Sequence, residues 1–207
     1  PFQSAQRSVL SKSKPPRGQP AAADLSLVCF LQTEFTVETN DGKNGLKYAQ
    51  TFTDNMSTKG KPKVTKIKVN ENSKKDWTKI TFKPDLKRFA GMTVLNVDIV
   101  ALMTKRVHDI AATNAGLKVT LNGEKLQIKN FLDYAKLFLC REAAVAPGMP
   151  PLPLLHQKFG DRWEIIVSIS DGQFQQNSFV NSIATTTGGT HVNHVADQLV
   201  KELVEHV

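Results

Sequence analysis

The sequence predicts an α+β protein, and three observations predict it. Four stretches in the first half, FTVET, KYAQTFTDNM, KVTKIKV and WTKITF, alternate or are rich in β-branched residues, as strands are. DIVALMTKRVHDIA and the last 16 or so residues carry apolar side chains at helical spacing. LKVTLNGEKLQI places an Asn-Gly pair between two alternating runs, a strong hairpin signal.

The elements follow in order. Residues 1–23 are rich in Ser, Pro and Ala, with Arg7, Lys12, Lys14 and Arg17 and no acid before Asp24, and are expected to form a disordered basic tail. The same bias occurs in organelle transit peptides. Order is expected from about Leu25. FTVET and KYAQTFTDNM flank NDGKNG as a hairpin, two more strands follow, and Pro84 ends the series. Asn96 can cap a helix from about Val97 to Thr113 with Val100, Met103, Val107 and Ile110 on its buried stripe and Gly116 beyond its end. FLDYAKLFL reads as a short helix. Residues 140–158, with Pro147, Pro150, Pro151 and Pro153, read as a linker or surface loop. WEIIVSIS and FQQNSFVNSIA then form a strand pair ahead of a glycine turn and a terminal helix. The chain has no internal repeats.

The stretch FVNSIATTTGGTHVNHVADQLV joins that strand to that helix. Gly188 and Gly189 allow positive φ where one turns into the other. The amides at the helix start could hold an anion or be capped by Thr190, and the cap is the simpler reading. Val192, Val195, Leu199 and Leu203 form an apolar stripe with His194 opposite. His191 and His194 share an HxxH spacing, yet a zinc site needs more ligands than two histidines supply. No metal is expected here.

At 207 residues with 40% hydrophobic content, the chain is long enough to build a real core. No apolar run reaches the length of a membrane span. Two cysteines, Cys29 and Cys140, supply no disulfide framework and fit a reducing compartment, although one bridge between them is not excluded. The net charge of +8 is uneven: residues 1–95 hold 17 Lys and Arg against 8 Asp and Glu, whereas residues 96–207 hold 10 against 11. The excess peaks in KGKPKVTKIKVNENSKKDW, which includes Lys66, Lys68, Lys74 and Lys75. These lysines read either as a polyanion contact or as a solvated edge that resists strand-to-strand aggregation, the edge being favoured for the run alone.

WTKITFKPDL, DIVALMTKRVHDIA, LNGEKLQIKNFLDY and above all FVNSIATTTGGTHV resemble the amino-terminal ATPase region of type IIA DNA topoisomerases, most closely eukaryotic DNA topoisomerase II. Bacterial gyrase B shares the FVN, the Thr and the GGTH of the last motif. The resemblance runs from about Leu31 to Val207. It implies a homodimeric enzyme of the nucleus that passes one DNA duplex through a transient break in another, driven by ATP and Mg. It also implies the later part of a GHKL α/β sandwich over 24–139, the linker at 140–158, and the start of a transducer domain over 159–207. Thr78 and Ile80 match the family strand that walls the adenine pocket; read from the residues alone, they are the buried face of an ordinary strand. Phe179, Val180, Asn181, Gly188, Gly189, Thr190 and His191 carry the family motif in a structural role.

The sequence also departs from the family. PAAADLSLVCFL stands where the glycine-rich phosphate loop and its helix should precede the TEFTVET strand, and no GxxGxG-like run occurs in the chain. Thr187 stands where topoisomerase II usually has lysine and His194 where it has tyrosine, which weakens a DNA contact at the glycine turn. No catalytic residue is therefore assigned. Two readings remain: a fragment of an ATP-dependent topoisomerase lacking its own ATPase and cleavage chemistry, or a non-enzymatic transducer-like module that binds DNA or a topoisomerase subunit. A GHKL relative with another task, such as mismatch repair, fits FVN…GGTH less well.

Overall fold

A computed structural model describes residues 6–13, 32–67, 75–89, 92–143, 153–170 and 172–206. The chain divides into two compact units, Pro20–Asn96 and a discontinuous one made of Pro1–Gln19 with Val97–Val207.

The Pro20–Asn96 unit is an antiparallel sheet of β2 (Gln32–Asp41), β3 (Leu46–Thr53), β4 (Thr58–Lys59), β5 (Lys63–Lys66) and β6 (Trp77–Pro84). Strand order is β4-β3-β2-β6, with β5 also paired to β3. Asp41 makes the β2–β3 hairpin by accepting the amides of Lys43 at 3.1 Å and Asn44 at 3.0 Å. The Asn44 side chain, then its amide, hold the Asp41 carboxyl below its ordinary pKa. Alternation splits the sheet into an apolar face, with Phe35, Val37, Phe52, Ile80 and Phe82, and a polar one. On the polar face Glu38 meets Lys47 at 3.0 Å and Lys79 at 3.1 Å, and Glu34 meets Lys83 at 2.9 Å.

Between β4 and β5 the backbone runs close against β3. The Gly60 amide donates to the Thr51 carbonyl at 2.8 Å, and a Cβ on Gly60 would stand 2.7 Å from that same oxygen. Only glycine permits this approach. Gly60→Ala should therefore force the β4–β5 edge off β3 and cost on the order of 1–3 kcal/mol, as overpacking does. A urea melt checks it, with an unchanged midpoint counting against the tight approach.

The larger unit holds a second sheet, in the order β12-β11-β1-β10-β9. Its strands are β1 (Gln6–Ser13), β9 (Leu154–Phe159), β10 (Trp163–Ser170), β11 (Gln175–Val180) and β12 (Ile183–Ala184). Here the structure differs from the tail expected over 1–23. β1 lies antiparallel to β10, from Gln6↔Ser170 to Ser13↔Trp163, and parallel to β11, from Ser8↔Gln175 to Ser13↔Val180. A seat open on both sides satisfies backbone donors and acceptors whatever the side chains are, so a Ser-rich, basic composition does not preclude it. The rest of 1–23 lies outside the described residues.

Helix α1 (Val97–Thr113) begins where Asn96 predicts, and Gly116 follows it at φ 84°. The β7–β8 hairpin (Thr120–Leu121 and Glu124–Lys125) turns on Asn122 and Gly123, both at positive φ, as the Asn-Gly pair predicts. Helix α2 (Phe131–Ala143) reaches into the stretch read as a linker, β9 enters it from the other side at Leu154, and Pro147, Pro150 and Pro151 lie outside the described residues.

Ala111 and Ala112 of α1, Ile128, Phe131, Tyr134 and Ala135 of the α2 region, Ile166 of β10 and Phe179 of β11 form one buried cluster. The stripe expected to bury α1 is largely turned away from it: Val100, Met103 and Ile110 are exposed, and only Val107 is half-buried. Two adjacent alanines instead let α2 approach closely, and the aromatic rings of α2 and β11 fill the space beyond them. Helix α3 (Thr190–Glu205) lies on the other face of this sheet. Its Val195 and Leu199 line a groove of about 310 Å³ with Trp163, Ile165 and Val167, the residues alternating with buried Ile166.

Candidate functional site

Thr78 and Ile80 share the apolar face of the Pro20–Asn96 sheet, opposite Thr39 and Val37 of β2. Both are exposed rather than buried, so the face is open to a ligand. Thr78 borders a shallow cavity of about 430 Å³ with Thr39, Asn40, Asp41, Asp76 and Trp77, whereas Ile80 lies outside its lining. Thr39 and Thr78 are cross-strand partners next to the Val37 and Ile80 pair, so two hydroxyls adjoin an apolar surface, a combination that suits a purine base. The cavity's carboxylates serve its turn: Asp76 accepts the Gly42 amide at 2.9 Å and Asp41 the amides of Lys43 and Asn44. Among the described residues no glycine-rich amide nest for phosphates adjoins this face.

The FVN…GGTH residues come together around one turn. Asn181 and Ser182, at φ 55° and 67°, reverse the chain between β11 and β12, so Asn181 supplies a left-handed conformation. Ser178, the Thr185 hydroxyl and His191 Nε2 form a chain of contacts, the last at 3.1 Å, and the Gln176 amide donates to the Thr185 and Thr186 carbonyls at 3.3 and 3.0 Å. Phe179 is buried and Val180 half-buried beside this chain. Gly188 stands at φ 77°, and Gly189 at φ 152° with the His191 ring 3.0 Å from where a Cβ would be.

The cap read at Thr190 does not form. Thr190 is the first helical residue, Gly189 holds the cap position without a side-chain bond, and its carbonyl accepts the amides of Val192 and Asn193 at 3.0 and 3.2 Å. A capping side chain must sit one residue before the helix, which Thr190 does not.

The two HxxH histidines look different ways. His191 faces Thr185, while exposed His194 accepts from the Gln198 amide at 3.0 Å. Among the described residues no group of three or more His, Cys, Asp or Glu gathers in a metal-binding arrangement, and no helix is long and apolar enough to cross a membrane. Of the lysines named from sequence, Lys66 and Lys75 are exposed; Lys68 and Lys74 lie outside the described residues.

Compared with known proteins, residues 118–207 match the family model for DNA gyrase B. The chain is 51% identical over 182 residues to DNA topoisomerase 2 of Pisum sativum and 50% identical over 182 residues to that of Arabidopsis thaliana. The alignments cover 87% of this chain and 12% of each relative's length. The ATPase region of Saccharomyces cerevisiae topoisomerase II superposes with a TM-score of 0.73 at 43% identity, over 87% of this chain and 44% of that one.

This chain belongs to the DNA topoisomerase II family. It is an α+β segment of the GHKL ATPase and transducer region, spanning about an eighth of the length of the curated topoisomerases it matches. The gyrase B subunit of Myxococcus xanthus, at 19% identity and a TM-score of 0.58 over 88% of this chain and 53% of that one, shares the fold.

Sequence reasoning missed the buried polar cluster in this topoisomerase II segment. Asp109, 2% exposed, takes the Tyr134 hydroxyl at 2.6 Å, Lys105 at 3.0 and 3.1 Å through its two oxygens and Arg106 at 3.4 Å. Burial, then Asp109, pushes the Tyr134 pKa far above the ordinary phenol range. A signal existed in Lys105 and Asp109, four residues apart on one helix. Nothing in sequence pairs them with Tyr134.

Proposed function

We propose that this chain serves as part of an ATP-dependent type IIA DNA topoisomerase, an enzyme of the nucleus that acts on DNA as a homodimer. The observation that carries this reading is identity of about half over 87% of the chain to proteins named DNA topoisomerase 2. In that assignment 24–139 is the later part of the ATPase domain, 140–158 a linker and 159–207 the start of the transducer. Thr78 would hydrogen-bond the adenine edge or its water and Ile80 pack on the ring face. ATP with Mg supplies the free energy of γ-phosphate hydrolysis to the intact enzyme. Phe179, Val180, Asn181, Gly188, Gly189, Thr190 and His191 hold the β11–α3 turn rigid, and the lysine-rich segment with Lys66, Lys68, Lys74 and Lys75 contacts DNA without reading sequence.

The 207-residue chain by itself does not turn over ATP on this reading. Hydrolysis needs a positioned water, a metal bridge and amides or cations around the developing charge, and adenine contacts alone provide none of these. The alternative, a non-enzymatic module that docks on DNA or on a topoisomerase subunit, is favoured by PAAADLSLVCFL standing where the phosphate loop belongs.

One experiment separates the two readings. Residues 32–207 are exchanged for the corresponding segment of the Saccharomyces cerevisiae enzyme, and ATP-dependent relaxation of supercoiled plasmid is measured. Relaxation that falls sharply on adding Thr78→Trp supports the enzymatic reading. A chimera that melts normally yet never relaxes plasmid sinks it.

A further inference from the structure

We propose that the outer rim formed by β4 and β5 is a duplex-DNA contact made by Lys59, Lys61, Lys63 and Lys66. This rests on the reading of the chain as part of a DNA-acting enzyme and extends the contact from Lys66 back to Lys59, Lys61 and Lys63, away from Lys68, Lys74 and Lys75. Along this edge the sequence KGKPKVTK has no acid. β4 pairs with Phe52–Thr53 and β5 with Leu46–Ala49 of β3, so together they line one edge of the sheet, drawn against it at Gly60.

All four lysines are exposed, and none has an ion-pair partner among the described residues. The other strand lysines of this sheet differ: Lys47 and Lys79 share Glu38, and Lys83 holds Glu34. Those three cations are each paired, on two carboxylates between them. The largest excess of unpaired positive charge on the sheet is therefore at its rim.

Register spreads the charge over both sides of the edge. Lys59 lies opposite Phe52 and Lys66 opposite Leu46, on one face; Lys63 lies opposite Ala49, on the other. Lysine stems are long enough to carry each ammonium past the backbone of an exposed edge. The result is a narrow ridge with cations on both flanks, suited to phosphates lining the two sides of a groove. Ammonium groups act there as point charges and carry no sequence preference.

The surroundings select the partner. The rim has no aromatic side chain on which an unpaired base could stack, so single strands gain only the charge term. Val64 is its one exposed large apolar residue, too little to anchor in a lipid interface.

The test is anisotropy of a short labelled duplex with the full 207-residue chain, titrated between about 50 and 200 mM salt. Each phosphate contact contributes about 0.9 to the slope of log Kobs against log salt. Lys59→Gln, Lys61→Gln, Lys63→Gln and Lys66→Gln combined should lower the slope by about 3 and the low-salt affinity by tenfold or more, about as expected for three to four lost contacts. Lys79→Gln with Lys83→Gln, matched for charge against two of those changes, should lower it by less than about 1. Melting temperatures check that all variants fold. A wild type that binds duplex with a slope the fourfold variant leaves unchanged overturns the assignment, while the family reading stands on the relaxation assay. Absence of duplex binding, or the same lysine dependence on anionic vesicles or single strands alone, also overturns it.

Discussion

Phe179→Ala is expected to destabilise the larger unit by about 3–5 kcal/mol, the range for deleting a buried aromatic side chain. Phe179 is 1% exposed. Its ring meets Phe131 edge-on at 6.0 Å and 86° and Tyr134 at 5.9 Å and 75°, geometries that add attraction beyond area burial. Lys105 Nζ lies 5.8 Å from its centroid on the same ring system. Truncation opens a void among groups drawn from β11, α1 and α2, so no single element can relax to close it. Trp163 belongs to this unit and Trp77 to the other, so urea unfolding followed by fluorescence in a Trp77→Phe background isolates the relevant transition. Phe179→Leu, which refills part of the space, should recover much of the loss. A cost below about 1 kcal/mol for the alanine variant would mean that the ring is not holding the two helices to the sheet.

That ring is also the first residue of the FVN motif, and it shows which parts of the molecule were legible from sequence. The α1 boundaries, the Asn-Gly hairpin and the exposure of His194 follow from local chemistry: a helix start after Asn96, two left-handed positions at Asn122 and Gly123, and an apolar stripe at Val192 and Val195. Each is decided within a few residues. The direction in which α1 faces is not, because periodicity finds an apolar stripe without saying what covers it. Val100, Met103 and Ile110 mark such a stripe, yet Ala111 and Ala112 make the close approach to the core. The strand at Gln6–Ser13 was hidden for a related reason. Its seat is built by β10 and β11, more than 140 residues along the chain, and backbone pairing leaves no trace in composition. At the candidate site, Thr78 and Ile80 could be placed on one strand face by alternation, but the cavity beside Thr78 depends on the turn made by Asp41 and Asp76.

Asp109→Ala is expected to cost about 3 kcal/mol, because it removes one partner of a buried charge-assisted network. Lys105 and Arg106 are partly exposed and can turn to water, so the uncompensated group is the Tyr134 hydroxyl, whose side chain is almost wholly buried. Tyr134→Phe removes that hydroxyl and leaves Asp109 with its two cations, a smaller loss of about 1–2 kcal/mol. The pair also predicts a pH signature. Burial and Asp109 raise the Tyr134 pKa in the folded chain above its ordinary value of about 10, so the folded state keeps the phenolic proton where the unfolded chain releases it. Its contribution is therefore complete below about pH 10 and is lost progressively as pH rises further. The comparison is made between variants rather than against neutral pH alone, so that alkaline effects common to both proteins cancel. Wild type should lose stability more steeply than Tyr134→Phe above about pH 10, and the two curves should converge as the wild-type advantage disappears. Equal slopes for the two proteins would mean that the Tyr134 hydroxyl is not held by Asp109, and that α1 and α2 are joined by packing alone.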